Sequence, residues 1–456
     1  MLRLLALLFL LSPPAAAQLA DLRPEGRVEL YTATRAGGDA DYLALRARAR
    51  LGLTASYDGG ELYAESQWTY NGLRDADPLS EAVAVDLRFA WIDVFFDALD
   101  LRIGRQPLVW GQADGAFVTD VLMPLDLSEF LAQDPEDLRL GVVAARATAF
   151  LGDFELDGVW MPRTPVSVLP DADSPWNVLP DAVLGIPVVF GEAVRDAPTL
   201  AGSEGAVRVT WQGLPLTDVA LLGVYAANRL PTFRKALTLG LRNDPDDAPL
   251  GLAFTATPVY ERRALLGATF ETTLADPVVL RGEVAFEFDA LIDEALPADS
   301  AALVQGIQDE TLQASIDRGF LTTRSGFQAA LAAERGFGNQ TLRLQGLVRH
   351  VFDHDETLVV DPWEGAATAI WVGRFRRDLL TLRLFATVET TGSYWLNPQF
   401  DYALRDALTV RLGGQVFGGP QPDDTTVLAG LRRAQRLSFA TYDANDLVFV
   451  QVIYGF

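Results

Sequence analysis

From residue 43 onward the chain alternates apolar and polar side chains with period two, the signature of β-strands. Leu43, Leu45, Ala47, Ala49, Leu51, Leu53, Ala55 and Tyr57 share one parity, and Arg46, Arg48, Arg50, Thr54 and Ser56 share the other. A strand that long, apolar on one face and cationic on the other, does not suit a sandwich core. It suits a strand with lipid on one side and water on the other. The alternation recurs at 62–71, 83–91, 278–288 and 380–389. Thirteen further candidates cover 26–35, 99–106, 141–151, 153–162, 203–213, 216–228, 260–274, 326–335, 340–352, 366–377, 393–404, 407–418 and 446–456.

The connections alternate as well. Short turns at Asp58-Gly59-Gly60, Gly152-Asp153, Ala275-Asp276-Pro277 and Gly336-Phe337-Gly338-Asn339 lie between long segments near 107–140, 163–202, 229–258, 290–325 and 419–445. Short turns at one end and long loops at the other predict an all-β fold: a transmembrane antiparallel up-and-down barrel. The count is about 18 strands, with 16 as the alternative because 234–258 and 393–404 are weakly patterned. Trp68, Tyr70, Trp160, Tyr225, Phe286 and Phe288 fall near ends that lead to long loops. Trp91 and Trp211 fall near short turns, and all eight take the outward parity expected of two interfacial girdles.

The two ends of the sequence supply addresses. Arg3, the apolar run Leu4 to Leu11 and Ala15-Ala16-Ala17 have the three parts of a secretory signal, so 1–17 is expected to be removed and 18–456 to form the barrel. Val448, Val450, Val452, Tyr454 and Phe456 share one face of the final segment. This resembles the C-terminal assembly signal of Gram-negative outer-membrane proteins. The resemblance implies that Tyr454 and Phe456 are read by the barrel-assembly machinery, and that outer-membrane lipid and lipopolysaccharide surround the product.

Charge adds a second layer. The chain has 61 acidic and 37 basic residues, a formal charge of −24 that argues against a nucleic-acid partner. It has no cysteine, which removes disulfides, thiolate metal sites and cysteine nucleophiles, and Lys235 is its only lysine. Arginine dominates the inward parity, and Arg46, Arg48, Arg50, Arg88, Arg102, Arg281, Arg343, Arg383 and Arg411 are the candidate pore-lining residues. Inward acids are fewer: Glu65, Asp86, Glu283, Glu287, Glu334 and Glu389. A cationic inner wall inside an acidic protein places the remaining acids in loops and points to polar or anionic solutes.

One segment leaves the strand pattern. Pro107 cannot contribute to a ladder, and 107–140 then carries seven acids, with Arg105 and Arg139 at its edges. Leu125 to Leu131 reads as a short helix capped by Asp126 or Ser128. The string Gly104-Arg105-Gln106, Trp110-Gly111, Asp120 and Pro124-Leu125-Asp126 is similar to a motif of porin-like outer-membrane families, among them alginate-export-type barrels and a large uncharacterised Proteobacterial group. The resemblance implies a loop folded into the lumen that narrows it. Arg105, Trp110, Asp114, Asp120 and Asp126 are its candidate constriction residues, and an acidic loop against an arginine wall would gain charge-assisted contacts.

Other chemistry is sparse. His350 and His354 are the only histidines and sit at a strand end, where i, i+4 spacing does not align ligands. There is no Gly-x-Ser-x-Gly elbow and no phosphate-binding glycine loop. Asp423-Asp424 and Asp244, Asp246 and Asp247 read as solvated turns, and Thr426 to Leu437 as a loop helix. No catalytic residue, metal ligand or cofactor is therefore expected. The function expected is an outer-membrane channel for passive or substrate-selective diffusion of small polar or anionic solutes. The alternative is a structural or partner-binding barrel without an open lumen. The sequence leaves the oligomeric state open.

Overall fold

The computed structural model describes residues 21–37, 41–73, 82–113, 115–177, 179, 182–183, 186–240, 251–274, 278–297, 300–310, 312–420 and 438–456. The segment 1–17, the turn 275–277, the aspartates at 244–247 and 423–424 and the stretch 426–437 fall outside them, as does Asp114.

Eighteen strands pair into one antiparallel sheet that closes on itself. In chain order the first seven are β1 (Asp21–Arg35), β2 (Tyr42–Tyr57), β3 (Gly60–Asn71), β4 (Val83–Phe95), β5 (Leu99–Gln106), β6 (Val142–Leu151) and β7 (Phe154–Met161). Three short strands then leave the wall: β8 (Ala182–Val183), β9 (Ile186–Phe190) and β10 (Val194–Arg195). The wall resumes with β11 (Glu204–Leu214) and β12 (Thr217–Ala227), and leaves again for β13 (Thr232–Gly240) and β14 (Gly251–Tyr260). It continues with β15 (Arg262–Thr273), β16 (Val278–Asp293), β17 (Leu321–Phe337), β18 (Gln340–Val351) and β19 (Trp363–Phe375). The last four are β20 (Leu380–Glu389), β21 (Tyr394–Arg405), β22 (Leu408–Gly418) and β23 (Leu447–Gly455). β1 meets β23 from Arg27↔Gly455 to Arg35↔Leu447, so the sheet has no free edge there. Among the described residues no helix is long and apolar enough to cross a membrane.

The ambiguous stretches resolve in opposite ways. Residues 394–405 are a wall strand, β21, paired on both sides. The stretch 234–258 contributes nothing to the wall, because β12 pairs directly with β15 from Thr217↔Thr272 to Ala227↔Arg262. Instead β13 and β14 form a hairpin in a separate sheet with β8, β9 and β10. Phe254, Leu296, Leu303 and Phe320 form its core with α2 (Ser300–Gln308) and α3 (Gln313–Asp317), numbered after α1 (Pro135–Leu138). Lys235 is buried there, its Nζ 2.5 Å from an Asp293 carboxylate oxygen.

Outward positions of the wall are apolar and exposed: Leu30, Leu51, Leu53, Val85, Ile103, Leu221, Leu331, Leu344 and Leu412 are examples. That is the belt lipid requires of a barrel. Trp68, Tyr70, Trp160, Trp211, Tyr225, Phe286 and Phe288 are exposed with them. Trp91 is the exception. A bulge between Glu65 and Ser66, opposite Leu87 to Phe89, reverses the parity of β4. Trp91 thus shares the inner face with Tyr63, ring centroids 4.4 Å apart, and its indole N–H donates to Asp93 at 3.0 Å. A second bulge, between Ala33 and Thr34, takes Leu43 out of the outward row and into a buried cluster.

Candidate functional site: a segment crossing the lumen

The backbone that leaves β5 at Gln106 turns inward because both sides of it find partners on the inner wall. Gly104 prepares the departure. Its φ is +140°, and a Cβ there would lie 2.2 Å from the Ala90 carbonyl oxygen of the neighbouring strand. Arg105 then braces the strand end, donating to Asp86 at 3.0 Å and to the Gly141 carbonyl at 3.3 Å.

The first half of the segment is apolar, and its anchor is apolar. Leu108, Trp110, Val118, Leu122 and Met123 are buried against Val142, Ala144, Val159, Met161, Ala206, Leu222, Val224, Leu265, Ala285 and Ala330. These partners come from the inner faces of seven consecutive wall strands, β6 to β17 as they follow round the ring. Each large side chain buried there is worth roughly 1.5–3 kcal/mol. Trp110 is thus a core side chain, and its indole N–H has no hydrogen-bond partner among the described residues. On the same wall Glu283, itself buried, accepts from the backbone N–H groups of Gln112, Ala113 and Thr119 and from the Thr119 hydroxyl at 2.7 Å.

The second half is acidic, and its anchor is cationic. Glu129 pairs with Arg46, and Asp137 with Arg48 at 2.7 Å and Arg50 at 2.6 Å. Asp134 pairs with Arg411 of β22 at 2.6 Å, and the Gln415 side-chain amide donates to the Leu131 carbonyl at 2.7 Å. Burial favours the neutral form of Asp137, but Arg50, Arg48 and Arg88 outweigh it and hold its carboxyl below the ordinary value of 3.8. Asp120, the buried partner of Arg139 at 2.7 Å, goes the other way: burial outweighs the arginine and raises it.

These two anchors sit on opposite sides of the ring. Following the pairings, β2 is second and β16 eleventh of the 18 wall strands, half a circuit apart. A chain that touches Glu283 on one and Arg46, Arg48 and Arg50 on the other must pass through the interior.

The local conformation differs from the sequence reading. Residues 125–131 form no helix. Leu125 bridges Arg139, Asp126 bridges Val168, and a turn follows in which the Asp126 carboxylate accepts from the Ser128 N–H at 3.0 Å. Asp126 is thereby spent on its own turn and does not reach the wall. Phe130 has φ +46°, which ends any helix there. The helix comes later as α1, where Pro135 takes the first position that its fixed φ suits.

Three connections converge on Phe130. Its ring stacks on Tyr442 at 4.0 Å and lies 6.3 Å from Trp176, and Asn445 donates to the Pro175 carbonyl at 2.7 Å. The segment is held from above by loops from two other places in the chain.

The other five candidate pore-lining arginines are also paired. Arg88 meets Glu65 at 3.3 Å, Arg102 meets Asp93 at 2.7 Å, and Arg281 meets Glu271 at 2.9 Å. Arg343 pairs with Glu334, and Arg383 with Asp401 at 2.5 Å. The six inward acids of the sequence reading are too few, since Glu29, Asp93, Asp157, Glu204 and Asp401 are buried as well. Asp93 was hidden by the bulge in β4, and Asp401 by the weak pattern of β21. His350 and His354 are spent on backbone carbonyls, Pro362 and Val360, each at 2.8 Å. Glu29, Asp134 and Asp137 bring carboxylate oxygens within 4.8 Å of one another, but Arg27, Arg50 and Arg411 already share that cluster.

A closed 18-strand antiparallel barrel crossed by an inserted segment is the architecture of outer-membrane porins. The solved structures agree: OccAB2 of Acinetobacter baumannii superposes with a TM-score of 0.52 at 10% identity, covering 97% of this chain and 99% of that one. The outer-membrane protein opdK of Pseudomonas aeruginosa gives 0.51 at 10%, covering 96% and 99%. OccAB1 of Acinetobacter baumannii gives 0.51 at 8%, covering 97% and 97%. At such identities the likeness concerns the fold. No curated protein sequence matches. Residues 43–421 match the family described as "Protein of unknown function (DUF1302)", and the chain belongs to that family. The alginate-export likeness of the 104–126 motif is not shown by these comparisons.

Proposed function

We propose that this protein is an outer-membrane channel of a Gram-negative bacterium that passes small polar solutes passively. In this reading the signal at 1–17 exports it, and the segment 107–140 sets the width of the lumen. The observation that carries the reading is the crossing itself: one segment, anchored on two opposite inner walls, inside a barrel whose outer face is apolar. A barrel that only displayed loops would need no second anchor.

Selectivity follows from the pairing. A wall of free arginines would favour anions, but each of the nine candidate pore-lining arginines has a carboxylate partner. Paired charges leave a polar surface with little net field, so the preference for anions should be slight. Purified protein in a planar bilayer under a salt gradient tests both points. The expected result is stepwise conductance with a reversal potential close to zero. A strong preference for either ion would return the selectivity to unpaired charges.

The scaffold alternative has one observation in its favour, the aromatic contact of Phe130 with Trp176 and Tyr442 that ties three loops together. A membrane with inserted protein and no conductance steps would favour it.

A further inference from the structure

Beside the inserted segment lies a half-open chamber of about 190 Å³, bounded by the segment, by Ser167 and Asn228 to Leu230 of two other connections, and by the inner faces of β15 to β18. A cavity of roughly 150 Å³ admits a benzene ring, so this one has room for a single ring with a small substituent. Its two sides differ in chemistry. On the segment side, Phe117, Val121, Met123 and Leu125 present apolar surface. On the wall side stand Arg263, Glu287, Gln328 and Arg349.

The wall side is polar, and each of its arginines has a carboxylate partner. Arg263 donates to Glu287 at 3.0 Å, and the Gln328 amide donates to the same carboxylate oxygen at 3.2 Å. Arg349 pairs with Glu364 at 3.5 Å. Arg229, at one edge of the chamber, is buried against Glu204 at 2.8 Å. Asp120, at the other edge, is held by Arg139. Every charge at the chamber thus has an opposite charge beside it.

We propose that this chamber is the selectivity station of the lumen, and that it takes small uncharged amphipathic solutes: one apolar ring or short chain bearing hydroxyl groups. The inference rests on the channel reading and refines it. A hydroxyl both donates and accepts, so it joins a network of arginine donors and carboxylate acceptors without displacing either. A carboxylate only accepts. It would lie beside Glu287 and Asp120 and would compete with Glu287 for Arg263 and with Glu364 for Arg349. A sugar-like solute satisfies the polar side but leaves Phe117 and Val121 against its hydroxyls.

The test is occlusion of the ion current through single channels in a planar bilayer, which reads binding inside the lumen whether or not the solute also crosses lipid. Three probes separate the classes: 4-hydroxybenzyl alcohol, 4-hydroxybenzoate and arabinose. The expected order is that 4-hydroxybenzyl alcohol blocks at the lowest concentration. Phe117 is 39% exposed, so Phe117→Ser removes apolar chamber surface without opening a core. It should raise the half-blocking concentration about tenfold, from the lost burial of one aromatic face, and Phe117→Leu should restore most of the effect. Conductance of each variant without solute shows that the barrel has assembled. Equal or stronger block by 4-hydroxybenzoate or arabinose would overturn the inference while leaving the channel standing. An unchanged Phe117→Ser variant would do the same. Absence of any ion current in the wild type would sink the channel reading and the chamber with it.

Discussion

Asp137 and Glu283 are the two side chains on which the crossing depends most directly. Asp137 compensates Arg48 and Arg50, and all three are buried. Removing one partner of a buried ion pair costs about 3–5 kcal/mol because the charge left behind is unpaired. Asp137→Asn should therefore release the second half of the segment, seen as larger and noisier conductance. Glu283→Ala removes the acceptor of three backbone N–H groups, each costing about 1–3 kcal/mol if left unsatisfied. It should loosen the first half, seen as faster protease cleavage between 108 and 123. The pH response has a worked sign. The Asp137 carboxyl is depressed in the folded protein, so its contribution is present above the ordinary 3.8 and is lost only as pH falls through the lower folded value. Asp120 is raised, so its charge is a cost at neutral pH that acidification relieves. Protonation of Asp120 comes first and touches its pair with Arg139, whereas the Asp137 anchor should hold down to about the ordinary carboxylate range, so the larger and noisier conductance of a released segment should begin only below it. Release that began well above it would show that Asp137 is not what holds the segment.

At the scale of elements, the wall strands were legible and their exceptions were not. Period-two alternation finds all 18 wall strands because the chain has only two environments to satisfy, an apolar exterior and a polar lumen. It misplaces Trp91 because a bulge is one extra residue with no sequence mark of its own. The acidic half of 107–140 could be matched to arginines from charge alone. The apolar half was overlooked, although Leu108, Val118, Leu122 and Met123 are a signal that this loop does not lie in water. Its partners include four alanines, Ala144, Ala206, Ala285 and Ala330, and the rest are spread over strands whose inward parity looked unremarkable. Leu122→Ala should cost about 2–5 kcal/mol, as buried leucines do, and should lower the temperature at which the segment becomes protease-sensitive without changing the barrel's own melting. The hairpin β13–β14 is separable in the other sense. Because β12 pairs directly with β15, replacing 231–261 by a short turn should leave a heat-resistant barrel on a denaturing gel. Failure to recover folded barrel would mean that the second sheet, through Lys235 and Asp293, supports the wall itself.

For the whole molecule, the overall charge of −24 conceals an inner wall on which arginines and carboxylates pair. Arginines and carboxylates are placed opposite one another across neighbouring strands, as in Arg102 with Asp93, Arg146 with Asp157 and Arg411 with Asp401. Such ladders fix register, since a one-residue slip turns every charged side chain toward lipid. The seam between β1 and β23 has one such side-chain link, the buried Gln451 amide donating to Glu29 at 2.8 Å, and otherwise works through backbone and packing. Gly26 and Phe456 exchange both backbone hydrogen bonds, at 2.8 and 2.9 Å, and a Cβ at Gly26 would fall 2.2 Å from the Phe456 ring. Gly26→Val should reduce the yield of folded barrel without altering the conductance of the channels that do assemble, measured by heat-modifiability and by bilayer recording.

That seam also dictates the order of events in biogenesis. β1 finds β2 within a few residues, but its other neighbour, β23, is more than 400 residues further along the chain. Until β23 arrives, a partly built sheet has two open edges and a lipid-facing surface in the wrong solvent, the situation in which strands pair with other molecules. Closure can therefore be completed only after the last strand has been made, and until then it competes with aggregation.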